Sequence, residues 1–257
     1  MHSLNSINPY LNDIVIIGGW AWYFYRRYLC GQDVISLEFT RDLDCAVSRA
    51  LKKKDRTMKE LLKEHGFEWV PTGDFKPPSE KYAWPDNKDS RAVIEFLTPS
   101  LGSDRTSTVE VQKGLVAQPL RYLNILIEDT LTLKVDESYE GNSFRGSIVV
   151  PKPGMFVAQK ALSYTRRRTS REKGKDQHYM YDLIDRPQEL ENRIVGEIKE
   201  RNDRAWYESM MANLKSAFSD QGRDEIGWIL DQELSQTPSR KYVFETFNRF
   251  IEHIEHG

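Results

Sequence analysis

Cysteine is scarce in this chain of 257 residues: Cys30 and Cys45 are the two it has. Two thiols exclude a disulfide framework, and they exclude a zinc site built on thiolates, which wants four closely spaced ligands. A reducing, cytoplasmic setting is the expectation. Long apolar runs are missing too. No stretch reaches the roughly 20 apolar residues that a membrane-crossing helix needs. The start, MHSLNSINPY, has no basic-then-apolar pattern of a secretory signal. A soluble protein with no membrane partner follows as a second expectation. Net charge is nearly absent, −2 at pH 7, which argues against bulk coating of nucleic acid. At this length a core can form in one large domain or two small ones without any staple.

What the chain has is a strongly patterned first half. Residues 14–19, IVIIGG, are an apolar β-branched run stopped by two glycines, and aromatic-rich helical text (WAWYFYRRYL) follows. This spells strand, tight turn, helix. Ala21, Phe24, Tyr25 and Tyr28 fall on one stripe of that helix, most simply a core face. A second strand is expected over 34–47, where Leu37, Phe39 and Leu43 alternate. SRALKKKDRTMKELLKEHGF (48–67) has helical spacing, stops at Gly66 and offers Met58, Leu61 and Leu62 to a sheet. The proline-rich stretch 70–90 reads as turn and loop, and 91–100 as a third strand ending at Pro99. After a loop at Gly102 and Ser103, LRYLNILIEDTLTLKV suggests a short helix and a strand near 130–135. From PKPGMFVAQKAL onward the text is helical, with no strand past about residue 150. The expected class is α+β: a small mixed sheet flanked by helices in residues 1–150, then a mainly helical part, 151–257, completing the cleft.

Within the second strand, Asp42 and Asp44 stand two apart and so project from the same face. Two neighbouring carboxylates repel unless a proton or a cation lies between them. A divalent metal satisfies both at once, and magnesium, which takes oxygen ligands and keeps several waters, suits such a pair. The plain alternative is an exposed turn with both aspartates in water. Gly18 and Gly19 add weight to the first reading, because a glycine turn at a helix start lets backbone amides approach an anion closely. Farther on, YTRRRTSREKGK (164–175) is dense in Arg and Lys against a single Glu, a run that can attract phosphates or simply be a solvated helix end.

In combination these motifs resemble the nucleotidyltransferase superfamily with the DNA polymerase beta-like fold. In GGWAWYFYRRYLCGQDVISLEFTRDLDCAV, the superfamily positions are held by Gly18, Gly19, Thr40, Asp42 and Asp44. A third carboxylate on a later strand is matched by Glu95 in RAVIEFLTP. VVPKPGMFVAQKALSYTRRRTSREKGKDQHYMYDLI is similar to the downstream motif of AbiEii-like toxins and related nucleotidyltransferases, with Lys160 at the lysine and Arg167 at the arginine. Asp176 and Asp182 both fit its later acidic element. The matching motifs span residues 14 to about 185. Two positions depart from the pattern: Glu38 stands where an arginine is common, and Trp20 where a small hydroxyl residue is common.

The resemblance implies transfer of a nucleoside monophosphate from a nucleoside triphosphate such as ATP to an acceptor, with pyrophosphate released. It implies Mg²⁺ or Mn²⁺ on Asp42, Asp44 and Glu95, and catalytic roles for these three and Lys160. Nucleotide contacts would come from Gly18, Gly19, Thr40, Lys160, Arg167 and Asp176 or Asp182. The implied acceptor is RNA such as tRNA, with the protein acting as the toxin of a toxin–antitoxin pair and a cognate antitoxin as partner. A small-molecule acceptor, as in antibiotic-modifying relatives, and a non-catalytic nucleotide-binding or interaction protein of the same fold are the alternatives.

Overall fold

A computed structural model describes residues 1–32, 42–72, 79–85, 92–102, 108–139, 141–232 and 238–257. The chain divides into two units, Met1–Pro151 and Lys152–Gly257. The class is α+β, with a mixed sheet flanked by helices in the first unit and helices alone, among the described residues, in the second.

The first unit runs α1 (His2–Ser6), β1 (Ile14–Ile17), α2 (Gly18–Tyr28), β2 (Asp42–Val47), α3 (Met58–Glu64), β3 (Glu68–Thr72), β4 (Ser79–Trp84), β5 (Ala92–Pro99), β6 (Val109–Gln112), β7 (Leu115–Leu120), α4 (Leu123–Glu128), β8 (Thr130–Tyr139) and β9 (Asn142–Pro151). Strands pair in the order β1-β2-β5-β4-β3. The strand β5 is long enough to serve two partners along one edge: β4 takes Ala92–Glu95 and β7 takes Leu97–Pro99. Pairs β2–β5 and β5–β7 are parallel and the others antiparallel. Strands β8 and β9 form a separate antiparallel hairpin.

The two faces of the central strands differ. Leu43, Cys45, Ile94, Phe96 and Tyr82 are all buried on one face. On the other, Val15, Ile17 and Ala46 pack with Leu123 and Leu126 of α4, against partly buried Leu97 and Val149. The strand period of two then puts Asp44 and Asp42 in line with Ala46 and Glu95 in line with Leu97. One sheet face thus changes from apolar to acidic along its own strands, where the cover of α4 gives out.

Several elements differ from the sequence expectations. Segment 70–90 carries the β3–β4 hairpin, with Trp69 opposite Tyr82. Pro71 sits in the outermost strand of that order, where a missing N–H need not cost a ladder bond. The helix expected from 48 begins only at Met58. Thr57 and Glu60 form a capping box there, Thr57 Oγ1 accepting from the Glu60 N–H and Glu60 Oε2 from the Thr57 N–H. Strands β6, β7 and β9 have no counterpart among the expected elements. Residues 33–41, the first part of the expected second strand, lie outside the described residues.

The second unit comprises α5 (Pro153–Ser163), α6 (Ser170–Ile184), α7 (Gln188–Lys199), α8 (Tyr207–Ala217), α9 (Asp224–Leu230) and α10 (Arg240–His256). Helix α5 opens on Pro153, where a missing N–H is harmless, and is buried from there to Leu162. It is the centre about which α6, α7 and α8 pack. Helix α6 begins with a second capping box, Thr169 with Glu172. Gly174 lets α6 and α9 touch closely: a Cβ there would meet the Trp228 backbone carbonyl. Among the described residues no helix is long and apolar enough to cross a membrane.

Candidate active site

The acidic end of the sheet is built by register. Asp44 lies opposite Ile17 on one side and Glu95 on the other, and Glu95 lies opposite Lys81. These four residues form one row across β1, β2, β5 and β4, with Asp42 one step along on the same face. Asp42 is exposed, Asp44 half-buried.

The chain leaves β1 through Gly18, which has φ +64°. That left-handed conformation favours glycine, since a Cβ costs about 1–2 kcal/mol there. A second reason is steric. A Cβ on Gly18 would collide with Asp44 Oδ2 and stand 3.2 Å from its Cγ. The glycine turn and the acidic strand, 26 positions apart in the sequence by their numbers, are therefore in direct contact, the carboxylate lying against bare backbone at the start of α2. Gly19 is buried behind it. Trp20 is buried as well and packs on Tyr23 and Phe24, ring centroids 6.0 and 5.7 Å away. The whole first part of α2 is core, including the Ala21, Phe24 and Tyr25 stripe, and Tyr25 Oη donates to the Pro151 carbonyl at 2.7 Å.

Glu95 does not turn to the aspartates. Its Oε1 is ion-paired with Lys81 Nζ, the two side chains being 19% and 34% exposed. Burial works against the Lys81 ammonium, but Glu95, and after it Asp42 and Asp44, hold it above the usual lysine range. Among the described residues no three His, Cys, Asp or Glu side chains converge to hold a metal. Asp42 and Asp44 alone still have the donor chemistry for one: hard oxygens side by side on a strand, partly open to water, as suits a cation that keeps several water ligands. Burial, with Asp44 adding to it, pushes the Cys45 thiol well above its usual range, so this buried cysteine is an inert core residue.

The second unit gathers its own charged cluster. Asp176 on α6 accepts from Lys160 Nζ at 2.6 Å and from Arg167 Nε at 2.7 Å. Burial alone would raise the Asp176 carboxyl, but Lys160 and then Arg167 overcome it and hold the group below the usual carboxylate range. Lys160 is 6% exposed, its ammonium 5.4 Å from the Phe156 ring centroid and 5.6 Å from that of Tyr179. Asp182, the other candidate, sits farther along α6 and pairs with Arg186. Of the two acidic residues, Asp176 is the one brought to Lys160 and Arg167. Arg166, Arg168 and Arg171 are exposed around the start of α6.

Of the residues singled out from the sequence, Gly18, Asp42, Asp44 and Glu95 thus share one end of one sheet face, and Lys160, Arg167 and Asp176 form one cluster. Thr40 lies outside the described residues. Sequence reasoning misses Lys81. Its signal is the alternation of Lys81, Tyr82, Ala83 and Trp84, masked by the prolines and turn residues on either side.

A family model described as nucleotidyltransferase matches residues 2–200. Among solved structures, the chain is similar to an antigenic nucleotidyltransferase-like protein from Paracoccidioides brasiliensis, with 18% identity over 79% of this chain and 87% of that one and a TM-score of 0.37. No curated protein matches.

Proposed function

The chain belongs to the nucleotidyltransferase family, and from that premise we propose that it moves a nucleoside monophosphate from a nucleoside triphosphate to a hydroxyl of RNA, Asp42 and Asp44 holding a divalent cation. The observation that carries this reading is the contact of Gly18 with Asp44. It sets a paired-carboxylate strand against bare backbone at the head of a helix, one element for a cation and one for the phosphates that travel with it.

In the reaction the acceptor oxygen attacks the α-phosphorus, the bond to the bridging oxygen of the β-phosphate breaks, and pyrophosphate leaves. A bound Mg²⁺ or Mn²⁺ neutralises charge on the triphosphate as it shifts to the leaving group. Asp42 and Asp44 orient the reacting phosphate by fixing where positive charge lies. The half-buried Asp44 is also the nearer carboxylate to the Gly18 turn and is suited to accept the hydroxyl proton. Backbone amides at Gly18 and Gly19 face phosphate oxygens. Lys160 and Arg167, two cations on the single Asp176 carboxylate, leave a surplus positive charge for triphosphate oxygens.

RNA is favoured as acceptor by the exposed Arg166, Arg168 and Arg171, which are suited to a phosphate backbone. A toxin role with a cognate antitoxin rests on the likeness to AbiEii-like sequences. The test is incubation with each α-³²P nucleoside triphosphate, Mg²⁺ and total RNA, comparing wild type with Asp42→Ala/Asp44→Ala. Label in RNA with wild type alone supports the proposal. Pyrophosphate released without labelled RNA points to a small acceptor, and neither label nor pyrophosphate with any nucleotide would overturn it.

A further inference from the structure

We propose that Lys81 is a tethered counter-ion of the acidic row, holding Glu95 aside so that the site takes one exchangeable divalent cation rather than two. This rests on the proposed nucleotidyl transfer, and it concerns how the charge of that site is balanced.

The register places Lys81, Glu95 and Asp44 on adjacent strands in one line, each about 4.8 Å from the next along the hydrogen-bonding direction. Two-metal phosphoryl-transfer sites set their ions about 3.5–4 Å apart and need a carboxylate set that spans both. Asp44 and Glu95 have the spacing to share such a second ion, and Glu95 is the residue that would complete it. Its carboxylate is instead committed to the ammonium on its far side. That pairing gives a physical reason why no three acidic groups converge among the described residues.

Charge counting agrees. Asp42, Asp44 and Glu95 carry three negative charges and Lys81 one positive, so the row as folded is left with the charge that one divalent ion neutralises. A second divalent ion would have to displace an ammonium that is anchored to the backbone and cannot diffuse away. Lys81 is thus a positioning residue: it acts on substrate through Glu95 and through the number of ions the row accepts. Lysine on β4 also escapes chelators, so the charge it supplies is constant whatever the metal supply.

Mn²⁺ binding to the full chain, counted by the loss of the free-ion electron paramagnetic resonance signal, tests this without any turnover. Ions bound by Asp42→Asn/Asp44→Asn are subtracted as background, and circular dichroism melts establish that each variant folds. Wild type is expected to bind one ion above background and Lys81→Met two. Lys81→Arg, which keeps the charge, should return to one, and so should Lys81→Met/Glu95→Gln, which removes the freed carboxylate. Two ions on wild type, or one on Lys81→Met, would overturn this inference and leave the proposed function standing. No ion above background on wild type would overturn both.

Discussion

Two charged clusters, one in each unit, balance their charge in opposite ways. In the sheet, three carboxylates face a single ammonium, and the excess is negative, partly exposed and set against bare glycine backbone. Among the helices, one carboxylate faces an ammonium and a guanidinium, and the excess is positive with the carboxylate itself almost wholly buried. The sheet cluster is left wanting a cation, and the helical cluster an anion. A nucleoside triphosphate and its metal supply both. The difference in burial matters as much as the difference in sign. Asp176 is inside the fold and helps to hold α5 to α6, whereas Asp42 and Asp44 contribute little packing and are placed to serve a ligand.

This contrast can be broken by experiment, and the largest effect belongs to the sheet. Asp42→Ala/Asp44→Ala is expected to lower nucleotidyl transfer by at least ~10³-fold, roughly 4 kcal/mol of transition-state stabilisation, with a melting temperature unchanged or slightly raised as repulsion is relieved. Radiolabel transfer and calorimetry on the same preparations check it. Asp176→Asn should do the reverse. It leaves a buried ammonium without its counter-charge, so a loss of ~3–5 kcal/mol in denaturant unfolding is expected, because breaking one partner of a buried pair costs about that much.

Gly18→Ala comes next. Left-handed backbone costs about 1–2 kcal/mol with a side chain, and the new methyl must also displace the Asp44 carboxylate. Stability and Mg²⁺-dependent nucleotide affinity should therefore fall together, whereas Gly141→Ala, also at positive φ but with open space around it, should cost only stability. A smaller effect separates the clusters by pH. The Asp176 carboxyl is held below its ordinary range, so the stability it lends is present above an unfolded-state pKa of about 3.9 and is lost as pH falls through the folded value. Acid unfolding followed by circular dichroism should steepen below about pH 4 in wild type and flatten in Asp176→Asn. Least of all, Arg168→Ala/Arg171→Ala should leave transfer to a small acceptor unchanged while reducing the salt dependence of RNA binding by roughly two charges' worth of slope.

How much of this is legible in the sequence depends on where the information lies. Local rules suffice for β1, the Gly18–Gly19 turn and α2, because a β-branched run, a glycine and an aromatic stripe each act within a few residues. The spacing of Asp42 and Asp44 likewise dictates their common face. The choice between Asp176 and Asp182 is not local: both are acidic residues on α6, and only the packing of α6 on α5 brings the first of them to Lys160. Lys81 is hidden for a related reason. Its strand is flanked by Pro71, Pro77, Pro78 and Pro85, which read as loop, and the pairing with β5 that makes it a strand is set by register across the sheet. Helix α3 shows the opposite fault, in which helical spacing extends the expected element over residues 48–57, before the cap at Thr57 that begins it.

The central claim is that the acidic end of the sheet exists to bind a metal-bearing triphosphate, and isothermal calorimetry with non-hydrolysable analogues of the four nucleoside triphosphates addresses it most directly. With wild type, one analogue should bind at least ~100-fold more tightly in Mg²⁺ than in chelator, about 2.7 kcal/mol, and that advantage should vanish in Asp42→Asn/Asp44→Asn. Equal affinity with and without Mg²⁺, or an advantage that survives the double substitution, would contradict the account.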